Sequence, residues 1–271
     1  MADYRTKLRP IIQERQIALD DKDAKRPRAL PRGKDLKRAA KEQRKRIEKL
    51  QDVFYADARY ALLVVLQGRD ASGKDGTVKH VFRSVNPMGC EVTSFKAPTD
   101  IERQHDFLWR IEQRVPPKRM IGIFNRSHYE DVIVPRVHKE IGDDRLRKRY
   151  EEINEFEKKL SENSVVILKF FLHVSRDEQK KRLTERLENP KKNWKFREGD
   201  LDDRALWDDY TAAYQDMIAQ CSTRWARWHI VPADDEDARN LLIARSIADT
   251  LDRLKLKYPR IDPKLKKLKI E

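Results

Sequence analysis

Between Tyr60 and Gln67 the chain reads YALLVVLQ, a run without a single charge, and GRDASGKDG (Gly68 to Gly76) follows at once. A continuous apolar run ending at glycine fits a parallel strand covered on both faces. Val78, Val81, Phe82 and Val85 then mark one face of a helix, ended by the turn residues Asn86, Pro87 and Gly89. Such a strand needs parallel neighbours joined by crossover helices. The sequence supplies them. Residues 90–95, 120–124 (MIGIF), 165–172 (VVILKFFL) and 227–231 (RWHIV) read as further strands. Helical spacing joins them through Phe107, Leu108, Ile111 and Val115, through Leu146, Tyr150, Ile153, Phe156 and Leu160, and through Leu241, Leu242 and Ile247. The expected class is α/β, a parallel sheet with helices on both faces.

Two segments stand apart. Residues 1–50 hold 17 Lys and Arg against 8 Asp and Glu, a large part of the net +14 of the 271-residue chain. Within them Leu36, Ala40, Ile47, Leu50 and Phe54 form an apolar stripe that must lie on the main domain or on a second subunit, so a homo-oligomer is expected. Residues 177–220 are a highly charged helix–loop–helix that reads as a lid. The expected division is a basic helical extension over 1–55, a core over 56–258 that includes this lid, and a basic tail over 259–271. The basic excess points to a polyanionic partner. Two cysteines without metal-ligand spacing, Cys90 and Cys221, fit inert thiols in a reducing compartment. No apolar run approaches a bilayer span or the core of a signal peptide, so a soluble cytoplasmic protein with no membrane partner is expected.

GRDASGKDG fits the phosphate-loop frame of Gly, four residues, Gly and Lys, and it sits between a strand and a helix as that frame requires. Gly68, Ala71, Ser72, Gly73, Gly76 and Thr77 are therefore candidates to cradle phosphate through backbone amides, with Lys74 above them. The hydroxyl position is Asp75, however, and Asp70 lies inside the loop. A carboxylate facing phosphate is repulsive unless a cation intervenes. Mg²⁺ binds through one or two carboxylates plus substrate phosphates, which makes Asp70 the candidate ligand. Asp75 is either linked to the metal or a favourable charge at a helix start.

FNRSHYEDV (Phe124 to Val132) follows the third strand, at the carboxyl end where open α/β sheets bind ligands. Arg126 is a candidate phosphoryl clamp or a partner of Glu130 or Asp131, and His128 reads as structural. On the lid, Arg182 and Arg186 lie one turn apart and share a face with the potential to close over phosphate, as does Lys195. The alternative for all three is a solvated face paired with acids such as Glu185, Glu198 and Asp200.

With LQGRDASGKDGTVKHV, NPMG, SFKAPT, FNRSHYEDV and NWKFREGDLDDRALWDDY in view, the chain resembles the type 2 polyphosphate kinase family from about residue 45 to 257. The resemblance implies a phosphate-loop kinase core with a helical lid, use of Mg²⁺, and phosphoryl transfer between inorganic polyphosphate and nucleotides. It places the family's loop aspartate, lysine and following aspartate on Asp70, Lys74 and Asp75. The second-motif arginine falls on Arg126, and basic lid residues fall on Arg182, Arg186 and Lys195. Asn125 stands where many relatives have aspartate, which shifts metal binding towards Asp70. The YED form, with Glu130, is similar to the third class of the family, whose acceptors are AMP and ADP. Two other readings stay open: an ATP-dependent nucleotide or nucleoside kinase, and a nucleic-acid-binding protein. The second is disfavoured because the aromatics fall mostly at core positions.

Overall fold

The computed structural model describes residues 7–12, 16–262 and 264; the end of the basic tail lies outside the described residues. Five parallel strands form one sheet in the order β2-β3-β1-β4-β5: β1 (Ala61–Gln67), β2 (Cys90–Ser94), β3 (Ile121–Asn125), β4 (Val165–His173) and β5 (Trp228–Pro232). Each strand begins within a residue or two of its sequence expectation. β1 is buried along its whole length, as its uncharged run requires, and it alternates between two cores. Ala61, Leu63 and Val65 enter one core, and Leu62, Val64 and Leu66 the other.

The helices divide accordingly. α1 (Gly33–Asp57), α2 (Lys74–Val81) and α9 (Glu236–Arg253) contribute to one core. The short α3 (Trp109–Glu112) with α4 (Glu130–Val137), α5 (Asp143–Glu162) and α8 (Trp207–Cys221) form the other. α6 (Arg176–Glu188) and α7 (Gly199–Ala205) occupy the charged segment between β4 and α8. The apolar stripe of α1 that carries the expectation of a homo-oligomer is covered within the chain: Leu36, Ala39 and Ala40 pack against Ala238, Leu241 and Leu242 of α9. The edge of β5 is also occupied, since Ile11 N–H donates to Trp228 O at 2.8 Å and Pro10 bridges His229. Among the described residues no helix is long and apolar enough to cross a membrane.

Two helices depart from expectation. The stripe from Phe107 to Val115 yields only α3, because Pro116 and Pro117 cannot continue a helix and the chain must turn into β3. α4 is short and carries Pro135 inside it, so it has no clean apolar period to read.

β1 and β3 lie side by side, while the connection after β1 leads to one side of the sheet and the connection after β3 to the other. Their carboxyl ends therefore flank a switch point, the crevice in which such sheets bind ligands. Both motif loops open there.

Candidate active site at the switch point

The phosphate loop is held by its carbonyls. Lys74 Nζ donates to Gly68 O (2.6 Å) and Arg69 O (3.1 Å), and Gln179 Nε2 to Asp70 O (3.0 Å). Arg182 Nη1 donates to Ala71 O (3.0 Å) and Ser72 O (3.2 Å), and Arg239 Nη1 also to Ser72 O (3.3 Å). A trans peptide directs its N–H opposite to its C=O, so gripping the carbonyls on one side turns the following amides towards the other. That is how a neutral backbone becomes an anion cradle. Ala71 and Gly73 sit at φ 60° and 100°. A Cβ on Gly73 would run into the guanidinium of Arg239, so the turn needs glycine both for its dihedral and for its space. Gly68 approaches β4 so closely that a Cβ would lie 2.7 Å from Leu172 O. Gly76 faces Glu236 and Arg239 of α9, and the hydroxyls of Ser72 and Thr77 are buried without a partner among the described residues.

The two aspartates take different partners. Asp70 Oδ1 accepts from Arg126 Nη2 at 2.6 Å, which joins the phosphate loop to the loop after β3. Burial pushes the Asp70 carboxyl up, but the charges of Lys74 and Arg126 outweigh it and hold the group below its ordinary value. Lys74 is buried; desolvation lowers its pKa and Asp70 opposes the shift. Asp75 accepts from Asn125 Nδ2 at 2.9 Å and faces Lys195 Nζ at 3.5 Å. Asn125 thus positions an acid where it was expected only to lack one. Among the described residues no three His, Cys, Asp or Glu side chains come together as a metal cluster. One carboxylate with phosphate oxygens and water is the ordinary Mg²⁺ arrangement, so Asp70 fits a divalent ion held jointly with substrate.

Arg126 adopts φ 64°, unusual for an arginine, and its second arm lies 3.6 Å from Glu130 Oε2. Glu130 Oε1 accepts from Gln67 Nε2 at 3.0 Å. Strain of this kind persists where the surroundings over-determine it, and here the support is buried. His128 Nε2 (3.2 Å) and Tyr129 Oη (2.8 Å) both reach Glu157 Oε1 of α5, and Lys169 Nζ of β4 donates to Tyr129 Oη (2.6 Å), Glu157 Oε2 (2.5 Å) and Cys221 O (2.7 Å). His128 is therefore structural.

The structure separates the lid residues. Arg182 is committed to the phosphate loop and to the carbonyls of Ala233 and Asp234, at 2.7 and 2.9 Å, so it braces the loop from behind and does not pair with Arg186 over phosphate. Arg186 engages Asp200 at 3.1 Å, and Lys195 reaches Asp75. Burial and the nearby Asp70 charge raise the pKa of Asp200. The guanidinium carbon of Arg69 lies over Trp207, 3.8 Å from the ring centroid, and Arg69 donates to Trp207 O at 2.9 Å; burial lowers its pKa to about 10. α8 itself, at the end of the 177–220 span, is packed into the core through Tyr210, Tyr214, Met217 and Ile218.

Beside the Asp70–Arg126 pair opens a cavity of about 930 Å³, lined by Arg126 and Glu130, by Lys96, Arg110 and Arg149, and by Tyr210 among others. That volume accommodates a nucleotide-sized ligand. Arg110, which bonds Asp131 (2.9 Å) and Lys96 O (2.7 Å), stiffens its wall. Sequence reasoning missed Gln67, Arg69, Gln179 and Arg239. A lysine inside VVILKFFL was the one available signal for the buried cluster, because a charge there requires a partner.

A family model described as Polyphosphate kinase 2 (PPK2) matches residues 31–259. An AMP/ADP-polyphosphate phosphotransferase of Meiothermus ruber is 49% identical over 227 residues, covering 84% of this chain and 85% of its own. An ADP-polyphosphate phosphotransferase of Rhodopseudomonas palustris is 43% identical over 82% of this chain and 81% of its own. The solved polyphosphate kinase 2 from Arthrobacter aurescens TC1 superimposes with a TM-score of 0.81 at 44% identity, covering 82% of this chain and 80% of that one. The carboxylate-bearing phosphate loop, its partner arginine and this extent of similarity have one conclusion: the chain belongs to the polyphosphate kinase 2 family.

Proposed function

We propose that the protein transfers the terminal phosphoryl group of inorganic polyphosphate to AMP or ADP. The observation that carries the reading is the Asp70–Arg126 contact, which links the phosphate loop to the wall of the cavity, read here as the donor and acceptor sides. The names of the two relatives support the substrates. An oxygen of the acceptor's terminal phosphate attacks the last phosphorus of the chain. The bond from that phosphorus to the bridging oxygen breaks, and polyphosphate shorter by one unit leaves with the electron pair. The attacking oxygen is already largely ionised at neutral pH, since the second pKa of a phosphate monoester is about 6, so little general-base help is needed. Alignment and charge neutralisation remain for the protein to supply.

Lys74 exchanges its two loop carbonyls for donor oxygens, while the amides of Ala71 and of Gly73 to Gly76 fix the donor's end; those of Ser72 and Thr77 are already bonded to Arg69 O and Gly73 O. The Arg126 fork bridges donor and acceptor, and Arg186 and Lys195 cover the migrating group from the lid. Asp70 would hold Mg²⁺, whose charge offsets that of the phosphates; Asp75, bonded to Asn125 and facing Lys195, is the second candidate. Glu130, on the acceptor side of Arg126, is assigned the choice between AMP and ADP, in keeping with the third class of the family.

The test is a coupled assay with Mg²⁺ in which polyphosphate or ATP is offered as donor to AMP, ADP, GMP and GDP. Polyphosphate-dependent formation of ADP and ATP is expected. Product from ATP with none from polyphosphate would replace this reading by an ordinary nucleotide kinase.

A further inference from the structure

Three cations outside the site lie in line with it. Asp75 and Lys79 lie one turn apart on α2, about 6 Å along its axis, and Arg83 follows in the turn after Val81, so the stripe leads away from the phosphate loop. At its near end Asp75 holds Lys195 of the lid. At its far end the chain is fastened to α1: Gln51 Nε2 donates to Asn86 O (2.9 Å), and Asn86 N–H returns a bond to Gln51 Oε1 (2.7 Å). Ile47 and Phe54 of α1 share a core with Val81 and Phe82. Arg44 lies two turns before Gln51 on the same face of α1, which brings it towards Arg83.

Arg44 is half-buried, Lys79 and Arg83 are exposed, and none of the three has a hydrogen bond or ion pair among the described residues. The guanidinium of Arg44 is held below its ordinary value by burial and then by the charge of Arg83. The acid whose charge acts on Arg44 is Asp237, which also faces Lys37 at 3.9 Å. A scaffold that keeps like charges together without a direct ion pair to any of them favours an anion that spans them. A linear polyanion fits better than a nucleic acid, because no base-stacking platform accompanies the stripe. The exposed aromatics among the described residues are Tyr55, three turns from Arg44, and Trp194 and Tyr258 on other segments.

We propose that Lys79, Arg83 and Arg44 form a distal track for inorganic polyphosphate, holding the chain beyond its reacting end along α2 and onto α1. The proposal rests on polyphosphate being the donor. Its consequence is that long chains bind more tightly than short ones through contacts that play no part in the transfer itself.

The experiment compares wild type with the Arg44→Gln/Arg83→Gln double variant across polyphosphates graded from the shortest chain wild type turns over to long chains. For long chains KM is expected to rise roughly five- to tenfold with kcat unchanged. The slope of log KM against log salt should flatten by about one per lost contact. KM for the shortest donor should stay at the wild-type value, which also certifies the fold. Equal KM values at every length, or a loss equal at every length, would overturn the track while leaving the donor assignment standing. A wild-type protein inert towards polyphosphate of any length would overturn the donor assignment, and the track with it.

Discussion

Replacing Lys169 by Met removes a charge and keeps most of the stem, so it isolates the buried cluster beneath Arg126. Lys169 Nζ uses all three of its N–H donors, on Glu157, Tyr129 and the Cys221 carbonyl. Neither Lys169 nor Glu157 is more than 1% exposed. Burial pushes Glu157 up, and Lys169 and then His128 outweigh that and hold it below its ordinary value. In Lys169→Met the carboxylate stays buried without its main counter-charge and the Cys221 carbonyl loses a donor. Removing one member of a buried pair costs about 3–5 kcal/mol, a large share of the ~5–15 kcal/mol that holds a folded domain together. Urea unfolding of wild type, Lys169→Met, Glu157→Gln and the double variant measures the cost and the coupling. The double variant should be more stable than Lys169→Met alone, because no uncompensated charge remains. A loss under about 1 kcal/mol for Lys169→Met, or a coupling near zero, would refute the assignment of this pair as the support of the loop.

Glu130→Asn should lower turnover of AMP relative to ADP in a coupled assay; an unchanged acceptor ratio removes Glu130 as the discriminator. Gly73→Ala should cost at least about 1–3 kcal/mol, because its φ of 100° is strained for alanine and its Cβ meets Arg239; a wild-type melting temperature would contradict this. Asp70, Asp75 and Glu157 are all held below their ordinary values. At these three groups the folded chain therefore binds fewer protons than the unfolded one in acid, an effect that Asp131 and Asp200, both raised, partly offset. These groups contribute stability that is complete above the unfolded values of about 3.9 for Asp and 4.3 for Glu, and that is lost as pH falls through the lower folded values. Melting temperatures recorded from pH 6 down to pH 3 should decline most steeply below pH 4, and a flat profile there would contradict the assignment.

Strands, loops and crossover order were legible because their signals are local: an uncharged run for β1, and glycines followed by a lysine for the phosphate loop. The shared face of Arg182 and Arg186 was equally legible, but their targets were not. Arg182 ends on the carbonyls of Ala71 and Ser72, and backbone acceptors leave no mark in side-chain identity. Arg186 finds Asp200, an acid the sequence offered only as one of several. Arg239 supports the loop from a helix more than 160 residues away, a relation that only the sheet order creates. For Asp75 the sequence left two roles open and did not show its contacts: the carboxylate accepts from Asn125 and faces Lys195, linking the strand end to the charged segment.

The central claim is that this loop carries its aspartates in order to use polyphosphate, and ³¹P NMR of polyphosphate end groups with AMP and Mg²⁺ tests it most directly. Wild type should transfer terminal phosphoryl groups into nucleotide diphosphate and triphosphate signals as the chain shortens, and Asp70→Asn should slow that transfer by roughly 100-fold or more. Asp70→Asn turning over at near the wild-type rate, or wild type leaving the end groups untouched while using ATP, would contradict it.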